Sequence, residues 1–189
     1  MHPPWSMIFF TTLAGAAQGL LLALVGIELG ATVGVIAPAP DNSLYITGAA
    51  IVLLFGAIGL VAATFHLGHP LRAWRSAAMW RTSWLSREII VLPAFLACVA
   101  LWSTMHWLGG VTLGWGLAAA VLALLLYLCT GMIYAAVKAI REWATPLTPW
   151  NYALLGMASG LMLCTALAAA LAPALAAALA MATLVTTLA

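Results

Sequence analysis

Charged residues are scarce in this chain of 189 residues, which has six Lys and Arg, four Asp and Glu, and four His. Soluble globular domains carry roughly a quarter charged residues, whereas the charged fraction here is 5% and hydrophobic residues make up 66%. A soluble fold is therefore excluded, and six localised cations are too few for nucleic-acid binding. The mean hydropathy of +1.16 and uncharged runs longer than the ~20 residues that cross a bilayer predict an all-α, polytopic transmembrane helix bundle.

Cysteine is also scarce, and basic residues are absent from the N-terminus. Cys98, Cys129 and Cys164 each fall in a different apolar run, without a CxxC pair or a second ligand type at metal spacing. We expect them to be small core residues, and we expect no metal and no iron-sulfur cluster on this chain. The opening Met-His-Pro-Pro-Trp lacks the basic segment of a cleaved signal peptide, so the first apolar run is expected to remain as a spanning helix.

The apolar runs predict one integral membrane domain over residues 1–189, with five firm spans and a possible sixth helix. The expected spans are about 5–29, 43–65, 88–107, 114–137 and 151–172, and the sixth run is 174–189. Asn151 is predicted to cap the fifth span. Small-xxx-small spacing predicts close helix packing at three sets of glycines: Gly15/Gly19, Gly26/Gly30/Gly34 and Gly156/Gly160.

All the cations fall on one side of the predicted topology. They are Arg72, Arg75, Arg81, Arg87, Lys138 and Arg141. The other side carries only Asp41 and the nearby Glu28. Because Lys and Arg in short loops are retained in the cytoplasm during insertion, the N-terminus and the basic loops 66–87 and 138–150 are predicted to be cytoplasmic, in a bacterial inner membrane.

The segment 65–88 concentrates two of the four histidines and four of the six cations. Pro70 suits the start of a short helix lying in the membrane interface. Two roles remain open for the arginines of this segment and for Lys138 and Arg141: contact with lipid headgroups, or docking of a soluble partner subunit.

His66 closes the second span and Glu88 opens the third, so both are expected at one depth. An ionisable residue there needs a partner or a function. Imidazole can bond a quinone oxygen and a carboxylate can relay its protons, which together suggest a quinone pocket, with His69 and the mid-span Gln18 as further candidates. The structural alternatives are a hydrogen-bonded His66, a Glu88 stabilised in the first turn after a Ser86 cap, and a Gln18 that bonds a neighbouring helix.

Two other functions fit the sequence less well. Bis-histidine haem ligation needs two imidazoles on facing helices at one depth, but His66 and His69 are three residues apart and His106 has no second histidine at its depth. A cytochrome b-type anchor is therefore disfavoured, and no haem is expected. Transporters usually show charges near mid-membrane and internal repeats, whereas the charges here crowd one face.

Two motifs, HLGHPLRAW at 66–74 and WRTSWLSRE at 80–88, resemble the signature of the membrane-anchor subunits of the DMSO reductase family of molybdoenzymes, the DmsC-like anchors. The segments PWSMIFFTTLAGAAQG at 4–19 and CTGMIYAAVKAIREW at 129–143 are similar to the same family. The resemblance extends from residue 4 to about 165.

This resemblance implies a haem-free bundle without a catalytic residue of its own. It would bind ubiquinone or menaquinone, as quinone or quinol, at the edge facing an iron-sulfur (ferredoxin-like) subunit, which connects to a molybdopterin catalytic subunit. His66 and Glu88 fall on the histidine and acid implicated at the family's quinol site. Such anchors usually have about eight helices, so the resemblance assigns no site residue that the later helices would supply.

The family has branches that differ in orientation. The cytoplasmic position predicted for the histidine loop and the variant Ser-Trp-Leu-Ser-Arg-Glu at 83–88 are more similar to the sulfite dehydrogenase (SoeC-type) branch. That branch implies sulfite oxidation with electron delivery to quinone. The alternative is the DMSO reductase branch, whose soluble subunits face the periplasm and which oxidises quinol.

Overall fold

The computed structural model of the protein describes residues 5–64 and 70–188, and for 70–74 it describes the backbone alone. The elements in these ranges are α1 (Trp5–Thr32), α2 (Asn42–Thr64), a 3₁₀ helix (Pro70–Met79), α3 (Trp84–Leu108), α4 (Leu113–Ala135), α5 (Leu147–Leu171) and α6 (Pro173–Leu188). No strand occurs within them. The all-α prediction is confirmed.

Five of the helices, α1 to α5, are long and apolar enough to cross a membrane. The sixth helix, α6, has 16 residues, fewer than the ~20 that a straight span needs, and it packs against α5. The predicted bounds of the spans agree with the helices to within a few residues. The exceptions are the starts of α3 and α5, which both lie four residues before their predicted positions.

The start of α3 differs from the prediction because its cap comes earlier in the sequence. Ser83 has an extended backbone (φ −113°, ψ 127°), and its hydroxyl accepts a hydrogen bond from the backbone N–H of Ser86 at 3.4 Å. Ser86 is therefore inside the helix, and Glu88 lies beyond the first turn. The predicted Ser86 cap, and with it the first-turn position of Glu88, is wrong.

The helix α5 also begins earlier than the sequence predicted. The helix begins at Leu147, and Asn151 is an exposed residue inside it that does not cap it. Pro149 occupies the first turn, where a missing N–H costs no intrahelical hydrogen bond. Because proline is tolerated there, the Thr-Pro-Leu-Thr-Pro segment does not delay the helix as the sequence suggested.

Hydrogen bonds between helices show which helix ends meet. At one end, the Tyr152 hydroxyl of α5 donates to the carbonyl of Thr11 in α1, and Thr130 near the end of α4 bonds Glu88 near the start of α3. We call this the basic end, because the cation-bearing segments 70–87 and 136–146 connect helices there. At the opposite end, called the acidic end, Trp102 late in α3 bonds Glu28 late in α1.

The first helix forms the centre of the bundle and contacts α2, α4 and α5. Its residues Leu20, Leu21 and Leu24 are fully buried. Cys129 and Cys164 are also fully buried, as expected for small core residues, whereas Cys98 is partly exposed.

Glycines allow α1 and α5 to cross closely, as predicted for Gly15/Gly19 and Gly156/Gly160. A Cβ added at Gly15 would lie 3.6 Å from the Cα of Gly156, and one at Gly19 would lie 3.0 Å from the Cα of Met157. A Cβ at Gly160 would collide with the backbone of Gly19 and Leu20. The two backbones are therefore in direct contact along this seam.

The third predicted set does not pack helices together. A Cβ at Gly26 meets nothing within 4 Å, and one at Gly30 meets only the side chain of Ile36. Gly34 lies beyond the end of α1 with φ +78°, so it serves a turn. The spacing prediction fails here because Gly26 and Gly30 face no neighbouring helix and Gly34 lies past the end of α1.

The crossing predicts a difference between two otherwise similar substitutions. Gly160→Ala should lower the free energy of unfolding by about 1–3 kcal/mol, the usual range for overpacking a filled interior. Gly26→Ala should be neutral or slightly stabilising, because alanine has the higher helix propensity. Thermal unfolding of both variants in the same detergent measures the difference. Equal midpoints would show that α1 and α5 are not in backbone contact.

Candidate functional site

Glu88 is a buried carboxyl near the basic end, with 4% of its surface exposed. It lies in α3 one turn beyond the cap, and the hydroxyl of Thr130 in α4 donates to its Oε1. Among the residues that the structure describes, Thr130 is the only hydrogen-bond partner of Glu88. The carboxyl therefore retains acceptor capacity that this part of the protein does not use.

Tyr152 lies near this carboxyl, and Gln18 lies near Tyr152. The Tyr152 hydroxyl donates to the Thr11 carbonyl at 3.1 Å, and the side chain of Thr130 is a further neighbour of this hydroxyl. Gln18 is fully buried. Its Nε2 donates to the carbonyl of Ala14 at 3.0 Å, so it bonds its own helix rather than a neighbouring one.

The amide oxygen of Gln18 is an unsatisfied acceptor. Within the described ranges, Gln18 Oε1 is buried and has no hydrogen-bond partner. Buried polar atoms are paired in the great majority of cases, and an unpaired one costs about 1–3 kcal/mol. The region between α1, α3, α4 and α5 thus contains one partly satisfied carboxyl and one unsatisfied amide oxygen.

A groove of about 340 Å³ opens beside Tyr152. We call it the α1–α5 groove; it is lined by Thr11, Thr12, Gly15, Tyr134, Tyr152, Leu155, Gly156 and Ser159. Its volume lies within the roughly 300–1,000 Å³ of small-molecule sites. Leu155 is 70% exposed, so the groove opens on the surface that would face lipid.

Several residues of this region were not identified from the sequence. Thr130, Tyr152 and the groove carry no motif that marks them. A count of residues inward from the basic loops would have placed Thr130 and Tyr152 at the depth of Glu88, since each helical residue advances 1.5 Å.

The two histidines predicted for the site, His66 and His69, lie outside the described residues. The pairing of His66 with Glu88 therefore stays a prediction. The 3₁₀ helix after them begins at Pro70, where the sequence predicted a helix start.

The cations of the basic end differ in how they are held. Arg87 Nε donates to the carbonyl of Trp80 at 2.9 Å and its Nη2 to that of Arg81 at 3.0 Å, while its guanidinium lies 4.1 Å from the Trp84 ring centroid. Arg87 therefore holds the 80–83 connection against α3. Arg81, Lys138 and Arg141 are exposed, and the side chain of Arg72 is outside the described residues.

The acidic end contains a second buried carboxyl, Glu28, with 6% of its surface exposed. Trp102 Nε1 donates to its Oε2 at 2.8 Å, and the hydroxyl of Thr112 donates to its Oε1. His106 Nε2 lies 3.5 Å from the same Oε1, at ion-pair distance but without hydrogen-bond geometry. Both carboxylate oxygens of Glu28 are thus satisfied.

His106 connects this carboxyl to α2. Its Nδ1 lies 3.1 Å from Asn42 Oδ1, and Asn42 Nδ2 donates to the His106 carbonyl at 3.1 Å. The Tyr45 ring stacks on the imidazole at 4.5 Å between centroids. We call these residues the Glu28 cluster: Glu28, Asn42, Tyr45, Trp102, His106 and Thr112. The sequence analysis did not predict it, although Glu28 and His106 fall on the same side of the topology.

No group of three or more His, Cys, Asp or Glu side chains suited to a metal occurs in the described parts of the protein.

The fold and these sites define a polytopic helical membrane protein with a basic end and a buried carboxyl beside a surface groove. The family model of the DMSO reductase anchor subunit (DmsC) matches residues 1–189. The chain belongs to this family.

Three curated relatives are similar to the chain. The C subunit of the sulfite dehydrogenase of Allochromatium vinosum is 47% identical over 180 residues, which are 88% of this chain and 55% of the relative. The C component of the anaerobic dimethyl sulfoxide reductase of Haemophilus influenzae is 29% identical over 166 residues, or 85% and 57% of the two. The YnfH component of an anaerobic dimethyl sulfoxide reductase of Escherichia coli is 28% identical over 170 residues, or 86% and 57%.

The chain spans about half the length of the curated relatives that it matches. No solved structure matches it.

The indole N–H of Trp102 is expected to stabilise the fold, because it donates to the buried Glu28. Trp102→Phe keeps an aromatic ring but removes the N–H that bonds Glu28, so the free energy of unfolding should fall by at least the ~1.5–3 kcal/mol of a hydrogen bond to a charged group. Trp107→Phe, at a 75% exposed position of the same helix, should change it by less than ~0.5 kcal/mol. Chemical unfolding in micelles compares the two, and equal losses would argue against a structural role for the cluster.

Proposed function

We propose that the protein is the quinone-interacting membrane anchor of an iron-sulfur molybdoenzyme complex, and that it connects the quinone pool with an iron-sulfur subunit. The observation that carries this proposal is the buried Glu88 carboxyl, with one hydrogen-bond partner in the described structure. Burying an ionisable group at membrane depth costs free energy, and the residues that do so usually mark functional sites. Membership of the anchor family supports the same assignment.

The chemistry needs a proton donor and acceptor at the quinone. Reduction of a quinone to its quinol takes up two electrons and two protons, and here the electrons come from an iron-sulfur cluster of the partner. Glu88 carries a proton to or from the ring oxygen, and the His66 imidazole bonds a quinone oxygen, because both groups change protonation state readily. His69 and Gln18 complete the proposed set of quinone-contacting residues.

The direction of electron flow in this proposal follows the relatives. The higher identity is to a sulfite dehydrogenase component, at 47%, against 29% for a dimethyl sulfoxide reductase component. This supports sulfite oxidation with quinone reduction. The alternative is quinol oxidation in a reductase of S- or N-oxides.

The basic end is proposed to face the cytoplasm and to dock the iron-sulfur subunit. The absence of cations from the acidic end supports this orientation through the positive-inside rule. Arg81, Lys138 and Arg141 are exposed there and would attract an acidic surface. The molybdopterin subunit would bind beyond the iron-sulfur subunit, without contact with the bundle.

Loss of the proton carrier should block the quinone reaction alone. Glu88→Gln keeps the side-chain volume and removes the titrating group, so quinone-linked turnover of the assembled complex should fall by at least tenfold, since a positioned acid or base contributes ~10²–10⁴-fold. His66→Ala should act similarly. Turnover with a soluble redox dye, which bypasses the membrane subunit, should be unchanged in both.

Glu142→Gln is the matched control for this experiment, because Glu142 is exposed in the connection between α4 and α5 at the same end of the bundle. It should retain quinone-linked turnover. Wild-type quinone activity in Glu88→Gln, or a parallel loss of dye-linked activity, would contradict the proposed role of Glu88.

Charge reversal should release the soluble subunits from the cytoplasmic face. The double variant Arg81→Glu/Arg141→Glu leaves four cations at the basic end, enough to preserve the topology. In inverted membrane vesicles, whose cytoplasmic face is outward, the soluble subunits should wash off this variant at lower salt than off the wild type.

Asp41→Lys reverses one charge at the opposite, acidic end, where Asp41 is exposed, and should have no effect on release. Retention of the soluble subunits by the double variant would assign these cations to lipid headgroups. Release into the lumen of the vesicles would reverse the proposed orientation.

A further inference from the structure

We propose that the quinone head group binds in the α1–α5 groove and that the Tyr152 hydroxyl donates a hydrogen bond to one of its oxygens. This inference rests on the proposed quinone function and adds its location. The groove lies at the basic end, and Tyr152, which lines it, lies near the side chains of Thr130 and Glu88. A ligand in the groove would therefore be one side chain away from the buried carboxyl.

The hydroxyl of Tyr152 is available to a ligand at small cost. Its acceptor, the Thr11 carbonyl, lies inside α1 and can also accept the backbone N–H four residues further along the helix. If the hydroxyl turns to a quinone oxygen, the Thr11 carbonyl keeps its helical hydrogen bond.

Behind Tyr152, polar side chains connect the groove to the interior of the bundle. The hydroxyl of Thr130 lies near Tyr152 and donates to Glu88, so Tyr152, Thr130 and Glu88 form a row of neighbouring groups with exchangeable protons. Gln18 adds a fully buried amide oxygen without a partner in the described structure.

The shape of the groove suits a flat ring with an apolar tail. Gly15 and Gly156 lie in its wall, where the absence of side chains leaves room between α1 and α5. Thr12 and Leu155 are both exposed on the lipid-facing side, so an isoprenoid tail can extend into the bilayer. The volume of about 340 Å³ is at the small end of ligand sites, as a single substituted ring requires.

Two other grooves among the described residues lack this combination. The groove between α4 and α5 around Trp150 presents the Tyr127 hydroxyl, which already donates to the Gly15 carbonyl at 2.8 Å in a buried position. The groove between α5 and α6 is lined by alanines and by threonines such as Thr165 and Thr183, which donate to carbonyls of their own helices. Neither groove contains an ionisable side chain other than that tyrosine.

The binding of decylubiquinone and of the corresponding menaquinone analogue to the full complex in nanodiscs tests the location. Tyr152→Phe should raise the dissociation constant by roughly 2- to 10-fold, the equivalent of one hydrogen bond, and should raise the KM for quinone more than it lowers kcat. Tyr45→Phe, a buried tyrosine at the acidic end, should bind normally.

A larger substitution blocks the groove. Thr12→Trp should weaken binding by more than about tenfold, because the indole would fill the site. Thr104→Trp is its matched control: Thr104 is exposed on α3, and its hydroxyl bonds the carbonyl four residues earlier at 2.8 Å, as that of Thr12 does. Unfolding temperatures of the two variants exclude misfolding as the cause of a difference.

Photolabelling with a tritiated azidoquinone gives an independent readout. Label within residues 11–15 and 152–159, competed by decylubiquinone, would support the groove. Saturable label confined to other segments, with normal binding in Tyr152→Phe and Thr12→Trp, would overturn the groove while leaving the quinone function intact. Absence of saturable binding and labelling in the wild-type complex would overturn the function itself and the groove with it.

Discussion

The Glu28 carboxylate is the interaction on which the arrangement of the helices depends. A charge at this depth loses solvation worth several kcal/mol, which only well-placed partners offset. Its partners are the indole of Trp102, the hydroxyl of Thr112 and the imidazole of His106. Asn42 extends the contact to α2.

One buried group thus fixes the acidic ends of α1, α2 and α3 and the residue preceding α4. Because helices are stiff and rise 1.5 Å per residue, this also sets the depths at which Glu88 and Thr130 face each other at the basic end.

The two buried carboxyls differ in how completely they are satisfied. Glu28 has donors on both oxygens, so its environment stabilises one charge state in one geometry. Glu88 has Thr130 alone among the described residues. A carboxyl that has to exchange protons must be approachable in both charge states, which a full shell of donors would prevent. A carboxyl with unused hydrogen-bonding capacity, as at Glu88, therefore suits a site that exchanges protons. In a purely structural site the same unused capacity would only lower stability.

Features set by local composition were predictable from the sequence, and features set by three-dimensional contact were not. The spans follow from long apolar runs, and the Gly15/Gly19 and Gly156/Gly160 seam follows from spacing within single helices. The cap at Ser83 depends on the backbone conformation of the segment that precedes α3. The small-xxx-small spacing failed at Gly34 because α1 ends before that residue. Glu28 and His106 are far apart in sequence, and no periodicity links them. The same holds for Thr130 and Glu88. The sequence therefore predicted Glu88 and Gln18 as site residues, but it did not predict Thr130 and Tyr152.

The position of the site has a consequence for charge movement. In the proposed orientation, the iron-sulfur partner, the exposed cations and the quinone groove all lie at the basic end. Electrons then reach the quinone without crossing the thickness of the membrane, and the row from Glu88 through Thr130 to Tyr152 supplies protons from the same side. When both enter from one face, the reduction of quinone transfers no net charge across the bilayer. The Glu28 cluster is consistent with this division, because both oxygens of the carboxylate at the opposite end already have hydrogen-bond donors.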